Sequence, residues 1–298
     1  MLSNRRRRVM KSIFFIVITL FSFHIMAQQP QGYTYDSPYE KTVVSEFLET
    51  GMASAIDLQL ISDPSLSEEK ASTSRAKYHT ILDHLSAKKE SIKSEMRFLS
   101  WLFYRVHRKY LKEYTSHSSL ALTIHNGQYD CLSATSLYAL LLNDLGFNAQ
   151  VVETNYHIYL KLETQNGFYL FESTDPIHGF VTNPQEINSR LASYRQKDTD
   201  ETTYQFKTEL NSAVSITKLA GLHYYNKAIE DYNNKELMKT LILLEKASIF
   251  YHSDRIVEFG WVLAEAIRQD NTLPDIVRTH SLSKISHFLK SREKMALR

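Results

Sequence analysis

The most informative segment of the sequence begins with Tyr129-Asp130-Cys131 and continues into a helical run. That run reads Leu132-Ser133-Ala134-Thr135-Ser136-Leu137-Tyr138-Ala139-Leu140-Leu141-Leu142. Because the run is apolar almost all round, it predicts a buried central helix rather than a surface helix. Gly146 is expected to end this helix in the left-handed conformation. Cys131, the one cysteine of the chain, is therefore predicted to lie where a loop becomes a buried helix.

Downstream of the central helix, the apolar residues recur at every second position, which is typical of strands. Short strands are predicted at residues 149–153, 156–164 and 168–172. Asn166-Gly167 lies between the last two and is a strong signal for a tight hairpin turn. The core is therefore expected to be α+β, with the central helix packed on an antiparallel sheet.

Length, composition and motifs limit the class of protein. The 298 residues are enough for one large domain or two ordinary ones. A net charge of +2 predicts no strong attraction to nucleic acid, and scarce glycine and proline favour helices. No glycine-rich phosphate loop or dinucleotide motif is present, and His79 and His84 lack metal-ligand spacing. Neither a cofactor nor a metal is expected.

Residues 1–27 have the organisation of an export signal. A positive region, Arg5 to Arg8 with Lys11, precedes an apolar run over residues 13–27. That run is too short for a transmembrane helix but suits a signal peptide cleaved after Ala27. The protein is therefore expected to be exported from a bacterial cytoplasm, to the periplasm or to the outside. A retained N-terminal anchor is the competing interpretation, and an uncleaved signal would be the expected membrane attachment.

The chain on both sides of the core is predicted to be mainly helical. Residues 28–115 are the helical N-terminal part of the core domain, with the strongest helix over residues 91–114. Residues 116–185 are expected to form the core that contains Cys131 and the candidate site, including a short extended piece before Asn126-Gly127. Residues 186–213 are polar and weakly periodic, which predicts a connector with some local helix. Residues 214–298 are expected to form helical hairpins.

The first C-terminal hairpin resembles a degenerate tetratricopeptide unit. Its two helices carry Tyr224-Tyr225-Asn226-Lys227-Ala228 and Leu243-Leu244-Glu245-Lys246-Ala247, and the alanine of each would allow a close approach. The small residue expected near Thr240 and the proline expected near His252 are absent. This resemblance implies a surface for a protein partner at the C-terminal helices.

Cys131 and His157 point to nucleophilic catalysis by a thiol. The positive end of the central helix is expected to lower the pKa of Cys131, which is about 8.5 for a free cysteine. His157, on the second strand, would form an ion pair with the thiolate and later protonate the leaving amine. The backbone N–H of Cys131 is one expected oxyanion donor. The candidates for a second donor are Gln128, His125 and Trp101, with no basis for choosing among them.

Four short motifs together resemble the transglutaminase-like core. They are Tyr-Asp-Cys at 129–131, Leu-Gly at 145–146, His-Ile-Tyr-Leu-Lys-Leu at 157–162 and Glu-Ser-Thr at 172–174. The resemblance covers roughly residues 115–180, under a quarter of the chain. It implies a papain-like α+β fold and a Cys-His-Asp triad. Family members include transglutaminases, peptidases and amidases, and some without a catalytic role.

The third member of the triad departs from the family, which has aspartate. Glu172 follows His157 at about the family spacing, while Asp175, followed by proline, also imitates the signature. A two-residue Asn166-Gly167 turn would put Glu172 on the face of His157, although too far along the strand without a bend. A three-residue turn with a glycine bulge would put Asp175 opposite His157 instead. Motif spacing favours Glu172, and Asp175 stays open.

The leading hypothesis is an exported transglutaminase-like cysteine enzyme. It would hydrolyse or transfer peptide or protein amide groups through a Cys131 thioester, with His157 as base and then acid, and Glu172 or Asp175 orienting the imidazole. The alternative, motivated by the substituted acid, is a catalytically degenerate scaffold that binds a protein partner in the cell envelope. A third hypothesis is a structural envelope protein whose thiol is simply buried.

Overall fold

In sequence order, the strands of a small sheet lie between an N-terminal and a C-terminal group of helices. The computed structural model describes residues 32–154, 157–165, 167–197 and 211–295. The predicted export signal at residues 1–27 lies outside these ranges. None of the helices in the described ranges is long and apolar enough to cross a membrane.

The described elements are helices, mostly near the two ends of the chain, and short strands, mostly in the middle. The N-terminal part holds α1 (Pro38–Thr50), α2 (Ala55–Leu60), α3 (Glu68–Ser91) and α4 (Glu95–Tyr110). The middle part holds β1 (Glu113–Tyr114), α5 (Leu120–Asn126), β2 (Gln128–Tyr129), α6 (Cys131–Asp144), β3 (Ala149–Thr154), β4 (Ile158–Thr164), β5 (Gly167–Phe171) and β6 (Phe180–Val181). The C-terminal part holds α7 (Pro184–Lys197), β7 (Asn211–Val214), α8 (Ile216–Asn233), α9 (Leu237–Phe250), α10 (Asp254–Gln269) and α11 (Asp275–Met295). The predicted α+β class is confirmed.

The central helix α6 lies on a five-stranded antiparallel sheet. The strand order is β6-β5-β4-β3-β7, and α6 packs on β3 and β4. Every residue from Leu132 to Leu142 is buried, as the all-round apolar pattern predicts. Gly146 has φ 80°, and its N–H donates to the Asn143 carbonyl, which ends the helix as predicted.

Two N-terminal elements differ from the prediction. The helix expected over residues 91–114 begins at Glu95, because the Ser94 hydroxyl accepts the Arg97 N–H and caps a new helix there. The predicted extended piece before Asn126-Gly127 is wrong. It is the helix α5, whose first turn is capped by the Ser119 hydroxyl, which accepts the Leu122 N–H at 3.2 Å.

The hairpin of β4 and β5 has a register that neither predicted turn produces. Thr164 pairs with Gly167 and Leu160 with Phe171, so the pairing is shifted by one position on each strand relative to an Asn166-Gly167 turn. Both predicted registers are wrong. Gly167 is the first residue of β5 and lies directly after the turn. Its φ is 115°, a conformation that glycine adopts easily.

The segment predicted as a connector, residues 186–213, supplies part of the fold. Most of α7 lies within it, and β7 pairs antiparallel with β3 along the sheet edge, from Val151 opposite Val214 to Thr154 opposite Asn211. A four-residue edge strand with a polar start carries no clear period, so its pairing depends on β3 and not on its own pattern.

The C-terminal helices belong to the same compact unit as the core, which spans Tyr35–Arg298. Lys246 on α9 is buried, and its Nζ lies 2.7 Å from Glu40 Oε1 and 2.8 Å from Asp36 Oδ2. The Tyr224 hydroxyl donates to Glu40 at 2.6 Å. These contacts join α8 and α9 to α1, and removing one charge of such a buried pair costs about 3–5 kcal/mol.

Candidate functional site

Cys131 is the first residue of the central helix, as predicted. The Asp130 side chain accepts the Ser133 N–H at 2.7 Å, and the Ser133 hydroxyl accepts the Asp130 N–H at 3.0 Å. This reciprocal capping box fixes how the chain approaches the helix. The backbone of Cys131 therefore has a defined orientation. Cys131 as a whole is partly exposed.

The thiol itself is not activated in the free protein. Burial, together with the carboxylates of Asp130 and Glu172, raises the pKa of Cys131 to about 12. Backbone N–H groups at Cys131 and Leu132 act in the opposite direction but are outweighed. The helix end therefore acts on the pKa of Cys131 in the expected direction, but the expected net lowering is wrong, because removing a thiolate from water costs more than the first helical turn returns.

His157 and Glu172 lie in contact on one face of the sheet. The His157 Nε2 donates a hydrogen bond to Glu172 Oε2. The observed register explains this contact, because Leu160 lies opposite Phe171 and Glu172 therefore follows on beside Tyr159. Glu172 is then a diagonal neighbour of His157, which is within reach of long side chains.

The Glu172 carboxylate is saturated with donors. Oε1 accepts the Thr174 hydroxyl at 2.8 Å, and Oε2 accepts the Tyr194 hydroxyl at 2.8 Å in addition to His157. Burial opposes ionisation, but these hydrogen bonds outweigh it and hold the pKa of Glu172 below its usual value. An ionised Glu172 keeps the imidazole proton on Nε2, which leaves Nδ1 of a neutral ring as the nitrogen that can accept a proton.

Asp175, the alternative orienting acid, is used elsewhere. Its Oδ1 accepts the N–H groups of Ile177 and His178, and its Oδ2 lies 3.1 Å from Arg190 Nη1. Burial opposes ionisation here too, but these partners hold the pKa of Asp175 below its usual value. Of the two predicted carboxylates, the structure therefore brings Glu172 to His157.

Tyr194 is a site residue that the sequence did not reveal. It lies on α7, in a segment whose weak periodicity predicted only local helix. Its ring centroid is 4.5 Å from that of His157, and its hydroxyl shares Glu172 Oε2 with the imidazole. Tyr194 thus restrains both partners of the His157–Glu172 pair.

A cavity of about 130 Å³ brings the predicted nucleophile and base together. The residues that line it are Cys131, Leu132, Glu153, His157, Ile158, Leu222, Asn226 and Arg255. The volume is close to that of engineered protein cavities of about 150 Å³ that bind benzene, so the cavity has room for a side chain or a functional group. Leu222 and Asn226 come from α8 and Arg255 from α10, so the C-terminal helices form one wall.

The candidates for a second oxyanion donor are not among these lining residues. His125 Nε2 is hydrogen-bonded to the Ser74 hydroxyl at 3.0 Å, and Trp101 packs on Phe98. Asn226 is the neutral amide that lines the cavity instead. Asn226 is far from Cys131 along the chain, so no local sequence pattern could have predicted that it lines the cavity. Within the described ranges, no group of His, Cys, Asp and Glu side chains could hold a metal ion.

Replacing Tyr194 by phenylalanine is expected to lower the free energy of unfolding by about 1.5–3 kcal/mol, because one hydrogen bond to a buried charge is lost. A carboxylate with a depressed pKa stabilises the fold above its unfolded pKa, about 4.3 for glutamate, and this contribution is lost as pH falls. The difference from wild type should therefore shrink in acid. Denaturant unfolding at several pH values measures it. Tyr114→Phe, at a side chain that is 58% exposed, is the control, and equal losses in both variants would contradict the prediction.

Comparison with known proteins supplies no family for this chain. No protein-family model, no curated protein and no solved structure matches it. What the protein does is therefore inferred from the geometry of its own residues.

Proposed function

We propose that this protein is an exported, transglutaminase-like cysteine enzyme that hydrolyses or transfers amide groups. One observation carries the proposal: Cys131 and His157 line one cavity, and the buried carboxylate of Glu172 holds Nε2 of the His157 imidazole. Nucleophile, base and orienting acid are the parts that a thiol-dependent acyl transfer needs. In this assignment Glu172 takes the place of the aspartate of the family.

The raised pKa of Cys131 sets the order of steps. The sulfur attacks the substrate carbonyl carbon while Nδ1 of His157 accepts the thiol proton, so no thiolate need be present beforehand. The resulting imidazolium protonates the leaving amine as the C–N bond breaks, and a thioester remains on Cys131. Water or a second amine then attacks the thioester and regenerates the thiol. The Cys131 N–H and the Asn226 amide are the proposed oxyanion donors.

The same residues support a papain-like core. A cysteine at the start of a buried helix, with histidine and acid on an adjacent antiparallel sheet, is the arrangement that the resemblance implies. The apolar run and positive region of residues 1–27 support export. Peptide or protein amides of the cell envelope are the proposed substrate class.

The test uses the single cysteine. Wild-type protein and Cys131→Ala are incubated with a peptide digest of casein and hydroxylamine, and hydroxamate and released amine are quantified by mass spectrometry. Wild type is expected to form hydroxamates through the thioester, and the variant is expected to lose at least about 1,000-fold of this rate. Equal product from both proteins would overturn the proposal.

A second candidate function is a catalytically degenerate scaffold that binds a protein partner. The observation that favours it is the raised pKa of Cys131, which a purely structural thiol would also have. In that case Cys131→Ala would complement a deletion of the gene as well as the wild-type protein does, so the deletion phenotype would not appear. Loss of the phenotype in a folded Cys131→Ala protein would instead favour the enzyme.

A further inference from the structure

Arg255 lies in the cavity although it belongs to a helix far outside the predicted core. It lies on α10, and its side chain is 11% exposed. Its Nη1 is 3.2 Å from Glu153 Oε1, and its Nη2 donates to the Thr154 carbonyl at 2.8 Å. The guanidinium therefore binds Glu153 and Thr154, the last two residues of β3.

Thr154 in turn holds the backbone of His157. Its N–H donates to the His157 carbonyl at 2.8 Å, and its hydroxyl accepts the His157 N–H at 3.1 Å. A chain of direct contacts thus leads from Arg255 through Thr154 to His157. A shift of the Thr154 carbonyl would be passed on to the imidazole.

The surroundings of Arg255 make it a fixed support rather than a receptor for an anionic substrate. Glu153 is buried, its Oε2 accepts the Tyr251 hydroxyl at 2.8 Å, and its charge already balances the guanidinium. The guanidinium also lies over the Tyr225 ring, 5.5 Å from its centroid. A charge that is paired and held on several sides gains little from a substrate carboxylate.

We propose that Arg255 is a positioning residue that keeps His157 in place for proton transfer with Cys131, so that the C-terminal helices are part of the catalytic unit. This inference rests on the proposed function. Arginine suits the role because its planar fork can bind a carboxylate and a carbonyl together, whereas lysine presents a single ammonium.

The experiment follows alkylation of Cys131 by iodoacetamide in the full-length protein as a function of pH. Arg255→Ala is expected to slow the His157-dependent reaction by roughly 10- to 100-fold and to move the pH profile toward that of His157→Ala. Arg255→Lys should recover part of the loss, because it keeps the charge beside Glu153. Arg268→Ala is the matched control, since Arg268 lies on the same helix, is exposed, and pairs with Glu265 at 2.9 Å.

The charged and titratable groups that face the reacting pair and Arg255 stay unchanged in these variants. They are Tyr114, Asp130, Glu153, Glu172, Tyr194, Lys218 and Tyr251. A folded Arg255→Ala protein with the wild-type rate and profile would overturn the positioning role and leave the proposed function standing. If Arg255→Ala does not fold, Arg255→Lys decides: a profile shifted toward that of His157→Ala supports the role, and an unchanged profile overturns it. If wild type and His157→Ala react alike, the proposed function fails and the positioning role falls with it.

Discussion

Replacing His157 by alanine is expected to slow alkylation of Cys131 near neutral pH by about 100-fold or more, which is the usual scale of general base catalysis. The thiol depends on this base because the pKa of Cys131 is raised to about 12. At neutral pH such a thiol is ionised in on the order of one molecule in 100,000. Without His157, the rate of alkylation is limited by this small population of thiolate.

The pH profile distinguishes this role from simple damage to the fold. The thiolate population rises tenfold per pH unit below the pKa of Cys131, so the rate of the alanine variant should keep rising with pH throughout the alkaline range. The wild-type rate should instead depend less steeply on pH, because His157 accepts the thiol proton and the reaction does not rely on free thiolate alone. Two profiles of the same shape would contradict the proposed base.

The single cysteine simplifies the measurement, since Cys131→Ala reports any alkylation at other side chains and this background can be subtracted. His79→Ala is the control, because His79 is exposed on α3 and packs only beside Tyr78 in the described contacts. Its rate should equal that of wild type. Mass spectrometry of intact protein over time gives the rates, and circular dichroism checks that each variant is folded.

Replacing Gly179 by alanine is expected to destabilise the protein by about 3 kcal/mol or more, which is the upper range for overpacking. A Cβ at this position would lie 2.2 Å from the Glu172 carbonyl oxygen, 2.4 Å from the Asp175 carbonyl oxygen and 2.5 Å from the Phe103 ring. The first two are backbone atoms, so no side-chain rotation relieves the clash.

The same substitution should disturb the site. The Glu172 N–H donates to the Gly179 carbonyl at 2.8 Å, so widening this turn moves the acid that holds His157. Gly146→Ala is the control, because Gly146 has φ 80° with open space around it and should lose only about 1–2 kcal/mol from left-handed strain. Denaturant unfolding compares the two variants. Equal stabilities of the two variants would contradict the prediction, since they would show that the turn relaxes enough to avoid the clash at Gly179.

Local patterns predicted much of the scaffold. The all-round apolar run after Cys131 predicted a buried helix, and the alternating residues after Gly146 predicted β3, β4 and β5, because helix and strand periods are properties of neighbouring residues. The capping residues acted in the same way, since Asp130 and Ser133 satisfy each other within one turn. These features depend on residues only a few positions apart.

Both weak and strong local patterns led to errors. The segment before Gly127 looked extended and is helical, and β7 was hidden in a polar connector. The hairpin turn was placed one residue too late, which put Glu172 out of reach of His157. A shift of one residue on each strand moves side chains along the sheet by about 3.3 Å per residue, so the site is sensitive to it.

The amino-acid pattern predicted a lone cysteine at the start of a buried central helix beside an antiparallel sheet, and it identified His157 and Glu172 as candidate site residues. The folded chain was needed to show that Glu172 rather than Asp175 holds the imidazole, that Tyr194 shares that carboxylate, and that Arg255 and Asn226 line the cavity. Periodicity and capping act over a few residues, whereas these contacts join segments far apart in the chain and depend on how whole helices pack. The ionisation of Cys131 belongs with them, because burial by distant segments outweighs the local effect of the helix end.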